Sequence, residues 1–378
     1  MWGDIAIAFM IAFTTSFMMT PQTIKLARKL GAVDTPKDER RINKIPMPRL
    51  GGLAVIAGFI VSIVYLLIVM TIESKINLSE ENYHTKLAGF VIGGLIISAV
   101  CFYDDIKGAK AIVKLIAQII AAIIVVKSGL IIDSIDIPFF KVDSENELFY
   151  QILTICWIIG ITNALNLIDG LDGLSTGISI ISCVSLLIIF ALNGSPLISI
   201  ILITALCGSL VGFLPFNFNP AKTFIGDTGS NFLGYCLSII SILGIAKTYT
   251  AIVIVAPLIV LALPVFDTLF AIVRRLINGK SLKAIIEPDA NHLHHKMLRK
   301  GFTQKQAVLI LYGLSATFGM FAIILLESGI WKALSFALII IVIVAMGYKE
   351  FFKQRLLGDN EEHEHQIEGQ INIDEQNK

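Results

Sequence analysis

Residues 197–214 read LISIILITALCGSLVGFL, eighteen consecutive residues without a charge, bounded by Pro196 and Pro215. A helix needs about 20 such residues to cross the hydrocarbon core of a bilayer, and only a helix or a closed barrel satisfies its backbone there. Working outward in both directions, the same pattern recurs. Apolar runs cover approximately 3–24, 51–71, 87–103, 111–127, 149–165, 174–192, 197–214, 231–246, 250–273, 307–326 and 331–348. The 378-residue chain is 55% hydrophobic and 16% charged, whereas soluble domains carry about 25% charged residues. The fold class this predicts is an all-α polytopic membrane protein with about eleven transmembrane helices. A secreted module, a coiled coil and a disordered chain are excluded. With 30 Lys and Arg against 29 Asp and Glu, nothing points to a nucleic-acid partner.

Orientation follows from the basic residues. If the N-terminus lies outside, the inward segments 25–50, 104–114, 166–173, 215–230, 274–306 and 349–378 hold 24 of the 30 Lys and Arg. The C-terminus and the polar loops are then cytoplasmic. The first run is read as an uncleaved spanning helix, since Asp4 precedes it and Lys25, Arg28 and Lys29 follow it. Residues 1–350 are expected to form one integral membrane domain, and 351–378 an acidic, disordered cytoplasmic tail that includes His363 and His365. The segment 128–148 holds a short alternating stretch that reads as an outer hairpin. The five cysteines form no CxxC pair and read as small buried hydrophobes.

Four polar clusters fall at inward ends of spans. Asp104 and Asp105 are adjacent carboxylates, followed by Lys107, Lys110 and Lys114. Such a pair at a membrane boundary needs a cation or a proton to coexist. In Asn163–Gly173 (NALNLIDGLDG), Asn163, Asn166 and Asp169 recur every third residue along one helix face, and Gly170 and Gly173 permit a tight turn beside Asp172. The stretch 216–230, FNFNPAKTFIGDTGS, lacks a Walker A order. Its Asp227, at a helix start among hydroxyl residues, suits a hard cation with phosphate oxygens, and also reads as an N-cap. The fourth, PDANHLHH (288–295), places His292, His294 and His295 among basic residues, an anion cradle rather than a zinc site. A polybasic loop from Asp34 to Gly52 adds Arg49. Carboxylates, a phosphate-friendly helix start and two basic loops on one face compose a site for magnesium and a diphosphate.

Together, PMPRLGG (46–52), YDDIKGAK (103–110) with Lys114 and Gln118, NALNLIDGLDGL (163–174), FNFNPAKTFIGDTGS and PDANHLHH resemble, in order and placement, the polyprenyl-phosphate N-acetylhexosamine-1-phosphate transferases. That superfamily also contains phospho-MurNAc-pentapeptide transferase, and the HLHH form is similar to its UDP-GlcNAc-using branch. The resemblance implies transfer of GlcNAc-1-phosphate from UDP-GlcNAc to undecaprenyl phosphate with release of UMP, the first membrane step of a teichoic-acid or O-antigen type polymer. It implies Mg2+ as cofactor (with Mn2+ as substitute), a bacterial cytoplasmic membrane location and a homodimer. By motif match, Asp227 ligates the metal with Asn166 completing the shell. Asp104 or Asp105 positions or deprotonates the lipid phosphate, and Asp169 and Asp172 bind substrate or a metal-shell water. Asn163, Asn166, Lys114, Arg49, His292, His294 and His295 contact substrate, the histidines at the nucleotide diphosphate. The chain departs from the family at Asn43, where His is common, and at Ala290, where Arg or Lys is common.

The alternatives are the same phosphoryl transfer with another UDP-amino sugar, such as UDP-MurNAc-pentapeptide or UDP-GalNAc, and, in a different class, an ion-coupled transporter. A transporter places its carboxylates near the membrane midplane, and here only Asp267 is a candidate for that position.

Overall fold

The computed structural model describes residues 2–35, 46–73, 82–132, 136–137, 140–141, 146–245, 251–279 and 292–344. Asn43, the basic residues 37–44, Pro288–Asn291 and the tail 351–378 lie outside the described residues.

Residues 1–327 form one compact unit built of helices. These are α1 (Trp2–Leu30), α2 (Gly52–Ile72), α3 (Tyr83–Lys107), α4 (Ala111–Lys127), α5 (Glu147–Ile168), α6 (Leu174–Leu192) and α7 (Leu197–Asn217). They continue with α8 (Gly226–Ile245), α9 (Ala251–Val260), α10 (Ala262–Gly279), the short α11 (Leu293–Arg299) and α12 (Gln304–Ser328). The second unit is described here only by its helix α13, Ile330–Val344. Seven of these helices (α1, α2, α3, α5, α6, α7 and α12) are long and apolar enough to cross a membrane. The protein is a polytopic helical membrane protein.

Each predicted apolar run overlaps a helix among the described residues, but seven of those helices, against about eleven predicted spans, are long and apolar enough to cross a membrane, and one run is interrupted. The run 250–273 is divided at Leu261 into α9 and α10. Pro264 has no N–H to donate to the Val260 carbonyl, so the ladder lapses there, while Leu261 and Val265 still bond to Pro257 and Leu261. The turn between α3 and α4 is shorter than the sequence suggests, because α3 stays helical through Lys107 and carries Asp104 and Asp105 in its last turn. Gly108, at φ +76°, ends it.

α7 is the centre of the unit. It packs on α1, α2, α6 and α8, and nearly every residue from Ile198 to Leu210 is buried. A helix apolar on all faces has nowhere else to go. α1 buries a small-residue face, Ala8, Ala12, Ser16 and Thr20, against which Ser62 of α2 donates to Ala8 O at 2.8 Å. Gly208 and Gly212 sit against the carbonyl oxygens of Phe9 and Phe13, where a Cβ has no room. Two small ribbons decorate the helices. Val33–Asp34 pairs antiparallel with Met47–Pro48, and Asp136–Ile137 with Phe140–Lys141, the latter a hairpin in the segment where one was expected.

Candidate active site

The polar clusters meet at one end of the bundle: the C-terminal ends of α3, α5 and α7 and the N-terminal ends of α2, α4, α6 and α8. At its centre, Lys114 in the first turn of α4 reaches two carboxylates on two other helices. Its Nζ is 2.9 Å from Asp104 Oδ2 and bonds also to Asp227 Oδ2. All three side chains keep some access, at 20% for Lys114, 12% for Asp104 and 22% for Asp227. Asp104 also accepts from the Ala109 backbone N–H.

Asp105 is used differently. Its Oδ1 accepts the Asp227 backbone N–H at 3.0 Å, and its Oδ2 accepts the Thr228 N–H at 2.9 Å and hydroxyl at 2.6 Å. The sequence reading gave the α8 start to Asp227 as cap and left its amides to phosphate. Instead Asp105, from α3, takes the amides of Asp227 and Thr228. The first N–H groups of a helix lack internal acceptors and carry partial positive charge, so a carboxylate is the favoured partner. Arg49 Nε lies 3.9 Å from Asp105, with its own side chain 38% exposed at the rim.

The start of α8 is clasped from its other side by PMPRLGG. Phe224 N–H and Thr223 hydroxyl donate to Pro48 O at 2.8 and 3.0 Å, Gly51 N–H to Phe224 O at 3.0 Å, and Gly52 N–H to Ile225 O at 2.8 Å. Gly226 takes φ +72° beneath the Arg49 carbonyl, a conformation and a clearance that only glycine meets. Sequence reasoning used this motif for its basic residues and for resemblance. Its adjacent glycines were the signal that two backbones meet there.

The three residues spaced along the end of α5 each find a partner on a different helix. Asn163 Nδ2 donates to Gln118 Oε1 of α4 at 2.7 Å, and Gln118 Nε2 donates onward to Asn231 Oδ1 of α8 at 2.8 Å. Asn231 Nδ2 donates to the Asp227 carbonyl at 2.9 Å. Asn166 Oδ1 accepts the Ser230 hydroxyl at 2.8 Å. Asp169, just beyond the last residue of α5, accepts the Ser175 hydroxyl of α6 at 2.6 Å. Burial pushes its carboxyl up to about 7; the Ser175 bond opposes that rise and the nearby charges of Asp227 and Asp105 add to it. Gln118 and Asn231 were not among the predicted site residues. Gln118, one helical turn beyond Lys114, was visible in the spacing.

Asp172 is buried and holds the loop after α7, accepting from Asn219 Nδ2 at 2.9 Å and Ala221 N–H at 3.2 Å. Asn219 also reaches Gln304 at the start of α12. The histidines are joined to the cluster through the α5–α6 turn. His294 is 1% exposed and lies against Gly170. Neither of its ring nitrogens has a partner among the described residues. Burial, reinforced by His295, pushes its pKa down to about 3, so the ring is neutral. His292 Nδ1 pairs with Asp267 Oδ2 at 2.8 Å, and Asp267 Oδ1 accepts the Leu293 N–H at 2.9 Å. Asp267 is thus tied to the histidine segment. His295 lies beside His294, ring centroids 4.2 Å apart with the planes tilted by 44°. Beside Asp267 a groove of about 600 Å3 opens between α10 and α12, walled by Phe266, Phe270, Leu314 and Phe318, with Arg274 and Lys296 also lining it.

Fold and site thus define an integral membrane protein whose helix ends gather carboxylates, amides and a lysine into one polar site. The glycosyl transferase family 4 profile matches residues 87–245. The chain is 39% identical over 339 residues, 89% of each chain, to the protein of Bacillus subtilis (strain 168) described as "Probable undecaprenyl-phosphate N-acetylglucosaminyl 1-phosphate transferase". It is 31% identical over 331 residues, 82% of this chain and 79% of the other, to the decaprenyl-phosphate N-acetylglucosaminephosphotransferase of Mycobacterium tuberculosis. A phospho-N-acetylmuramoyl-pentapeptide-transferase of Staphylococcus saprophyticus is 33% identical over 250 residues, 62% of this chain and 74% of its own. The chain belongs to glycosyl transferase family 4, with the polyprenyl-phosphate N-acetylglucosamine-1-phosphate transferases.

Proposed function

We propose that the protein transfers GlcNAc-1-phosphate from UDP-GlcNAc to undecaprenyl phosphate, giving undecaprenyl-diphospho-GlcNAc and UMP. The observation that carries the reading is the likeness to the B. subtilis transferase at 39% identity over 89% of each chain. The convergence of the motif residues on one cluster supports it. An oxygen of the lipid phosphate attacks the sugar-bearing phosphorus of the donor, and the bond from that phosphorus to the bridging oxygen breaks, leaving UMP. The acceptor has a second pKa of about 6 and is already mostly dianionic at neutral pH, so the step needs no general base. Alignment and charge neutralisation are what the chain supplies.

The Asp104–Lys114–Asp227 cluster fits Mg2+. Its donors are hard carboxylate oxygens that already converge on one cation. Among the described residues no three His, Cys, Asp or Glu side chains are grouped to hold a metal. Magnesium is commonly held by one or two carboxylates together with substrate phosphates. Asp227 and Asp104 would hold it, and the motif match adds Asn166, whose Oδ1 accepts from Ser230 in the turn after Asp227. Bound there, it would offset the charge of the diphosphate. Lys114 neutralises the carboxylates, and the His292–His295 segment and Arg49 face the donor. The groove beside Asp267, apolar with two cations, suits the chain and phosphate of a polyprenyl acceptor. By the distribution of basic residues, the site faces the cytoplasm, in a bacterial cytoplasmic membrane crossed about eleven times.

The test is UMP release by the purified full-length protein given UDP-GlcNAc, undecaprenyl phosphate and Mg2+. Activity lost with EDTA and in Asp227→Ala supports both the reaction and the metal. Turnover only with UDP-MurNAc-pentapeptide or UDP-GalNAc moves the donor, and silence with every donor overturns the reading.

A further inference from the structure

Asp104 and Asp105 are neighbours in sequence with opposite circumstances. Successive residues on a helix point about 100° apart. Asp104 faces Lys114 and keeps 12% of its side chain accessible, whereas the Asp105 side chain is 0% exposed. Both Asp105 oxygens are occupied by three donors from two consecutive residues, Asp227 and Thr228. One of those donors is the backbone N–H of Asp227 itself.

We propose that Asp105 is a positioning residue for Asp227: it anchors the start of α8 to the end of α3 and touches no substrate. Its remaining contact is Arg49, whose Nε lies 3.9 Å from Oδ1, while the three short bonds all go to the start of α8. α8 begins at Gly226, which has no side chain to cap the helix, and the next two amides turn to a carboxylate from 122 residues earlier in the chain. The same bonds that fix the Asp227 backbone set where its side chain meets Lys114. The second clasp, from Gly51 and Gly52, holds Phe224 and Ile225 but makes no bond to Asp227. Asp105 therefore holds the Asp227 amide, which that clasp leaves open, while Asn231 holds the Asp227 carbonyl.

The activity readout of this inference rests on the transferase reading; its exchange readout does not. Amide hydrogen exchange across 226–230 is measured in the full-length protein in lipid nanodiscs without donor, for wild type, Asp105→Asn, Thr228→Val and Asp104→Asn. Asp105→Asn turns an amide NH2 toward N–H donors, and is expected to raise exchange at Asp227 and Thr228 about tenfold or more, while Asp104→Asn leaves it within about twofold. In UMP release, Asp105→Asn is expected to lower kcat about 100-fold with KM for UDP-GlcNAc within about threefold. Thr228→Val, which removes one of the three donors and no acid, lowers kcat about tenfold, and the double variant is no worse than Asp105→Asn alone. Loss of kcat in Asp105→Asn with exchange unchanged overturns the proposal, because the carboxylate then acts on the reactants. Wild-type kcat and exchange in Thr228→Val also overturn it, and that variant decides the matter if Asp105→Asn does not fold. If the wild type releases no UMP, the transferase reading fails, and the exchange comparison alone judges Asp105.

Discussion

Gly52→Ala tests whether the distance between the starts of α2 and α8 governs the site. A Cβ at Gly52 would lie 2.7 Å from the Ile225 carbonyl oxygen and closer still to Gly229 Cα. Both neighbours are backbone, so neither can rotate away. Restoring ordinary contact of about 3.4–4 Å requires the two segments to part by about 0.7 Å at Ile225 and by more at Gly229. That separation stretches the Gly52 N–H bond to Ile225 O, now 2.8 Å. It is also applied two residues on either side of Asp227. Overpacking of this kind costs about 1–3 kcal/mol, and a displacement near 1 Å at a reacting group costs on the order of 100-fold in rate. The expected result is a folded, somewhat less heat-stable protein whose UMP release falls between ten- and a hundredfold, in steps of order. Gly160→Ala, where nothing lies within 4 Å, is the matched control and should behave as wild type. Wild-type turnover in Gly52→Ala would refute the reasoning.

Other consequences are as direct. Lys114→Met leaves Asp104 and Asp227 without their shared ammonium; removing one partner of a buried pair costs about 3–5 kcal/mol at most, less here because the group keeps solvent contact, and turnover should fall about 100-fold or more in the UMP assay. Gly170→Ala meets only the tip of His294, with Cε1 at 2.8 Å and Nε2 nearer; the ring should swing out, raising KM for the donor with little change in thermal stability, and an unchanged KM would show that His294 does not serve the donor. His294, held at about 3 against about 6.5 when unfolded, binds its proton in the unfolded chain first. Its contribution to stability is therefore level above pH 6.5 and declines by up to about 1.4 kcal/mol per unit as pH falls from there toward 3. NMR of ring-labelled histidine should show His294 neutral at pH 5, and a midpoint near 6.5 would contradict the burial argument.

The helices were legible because bilayer thickness imposes a length, and each apolar run declares itself without reference to any other. Pro264 shows where that ceases, since its effect on the 250–273 run depends on which carbonyl it deprives. The site was legible as a set of residue types and much less as roles. Asp104 and Asp105 look interchangeable in sequence, and only the residues 122 positions later distinguish a carboxylate facing a lysine from one facing amides. Asp267 read as a lone acid in a span because its partner, His292, sits 25 residues on, beyond a helix end. Gly51 and Gly52 signal that two backbones meet, but that the partners are Phe224 and Gly229 is fixed only by the fold.

The central place of α7 has a consequence for how the molecule is made. Its chief neighbour, α1, is made about 190 residues before α7 is complete. Until then α1 has α2 as its partner, with Ser62 donating to Ala8 O at 2.8 Å and Gly58 against Ala12 O, while the Phe9 and Phe13 carbonyls that Gly208 and Gly212 will meet are still uncovered. The α1–α2 pair can therefore close first, and α7 must then dock against both of them and α6. Substitutions enlarging Gly208 or Gly212 should thus act late in biosynthesis, yielding full-length chains that insert yet fail quality control, rather than chains that never enter the membrane.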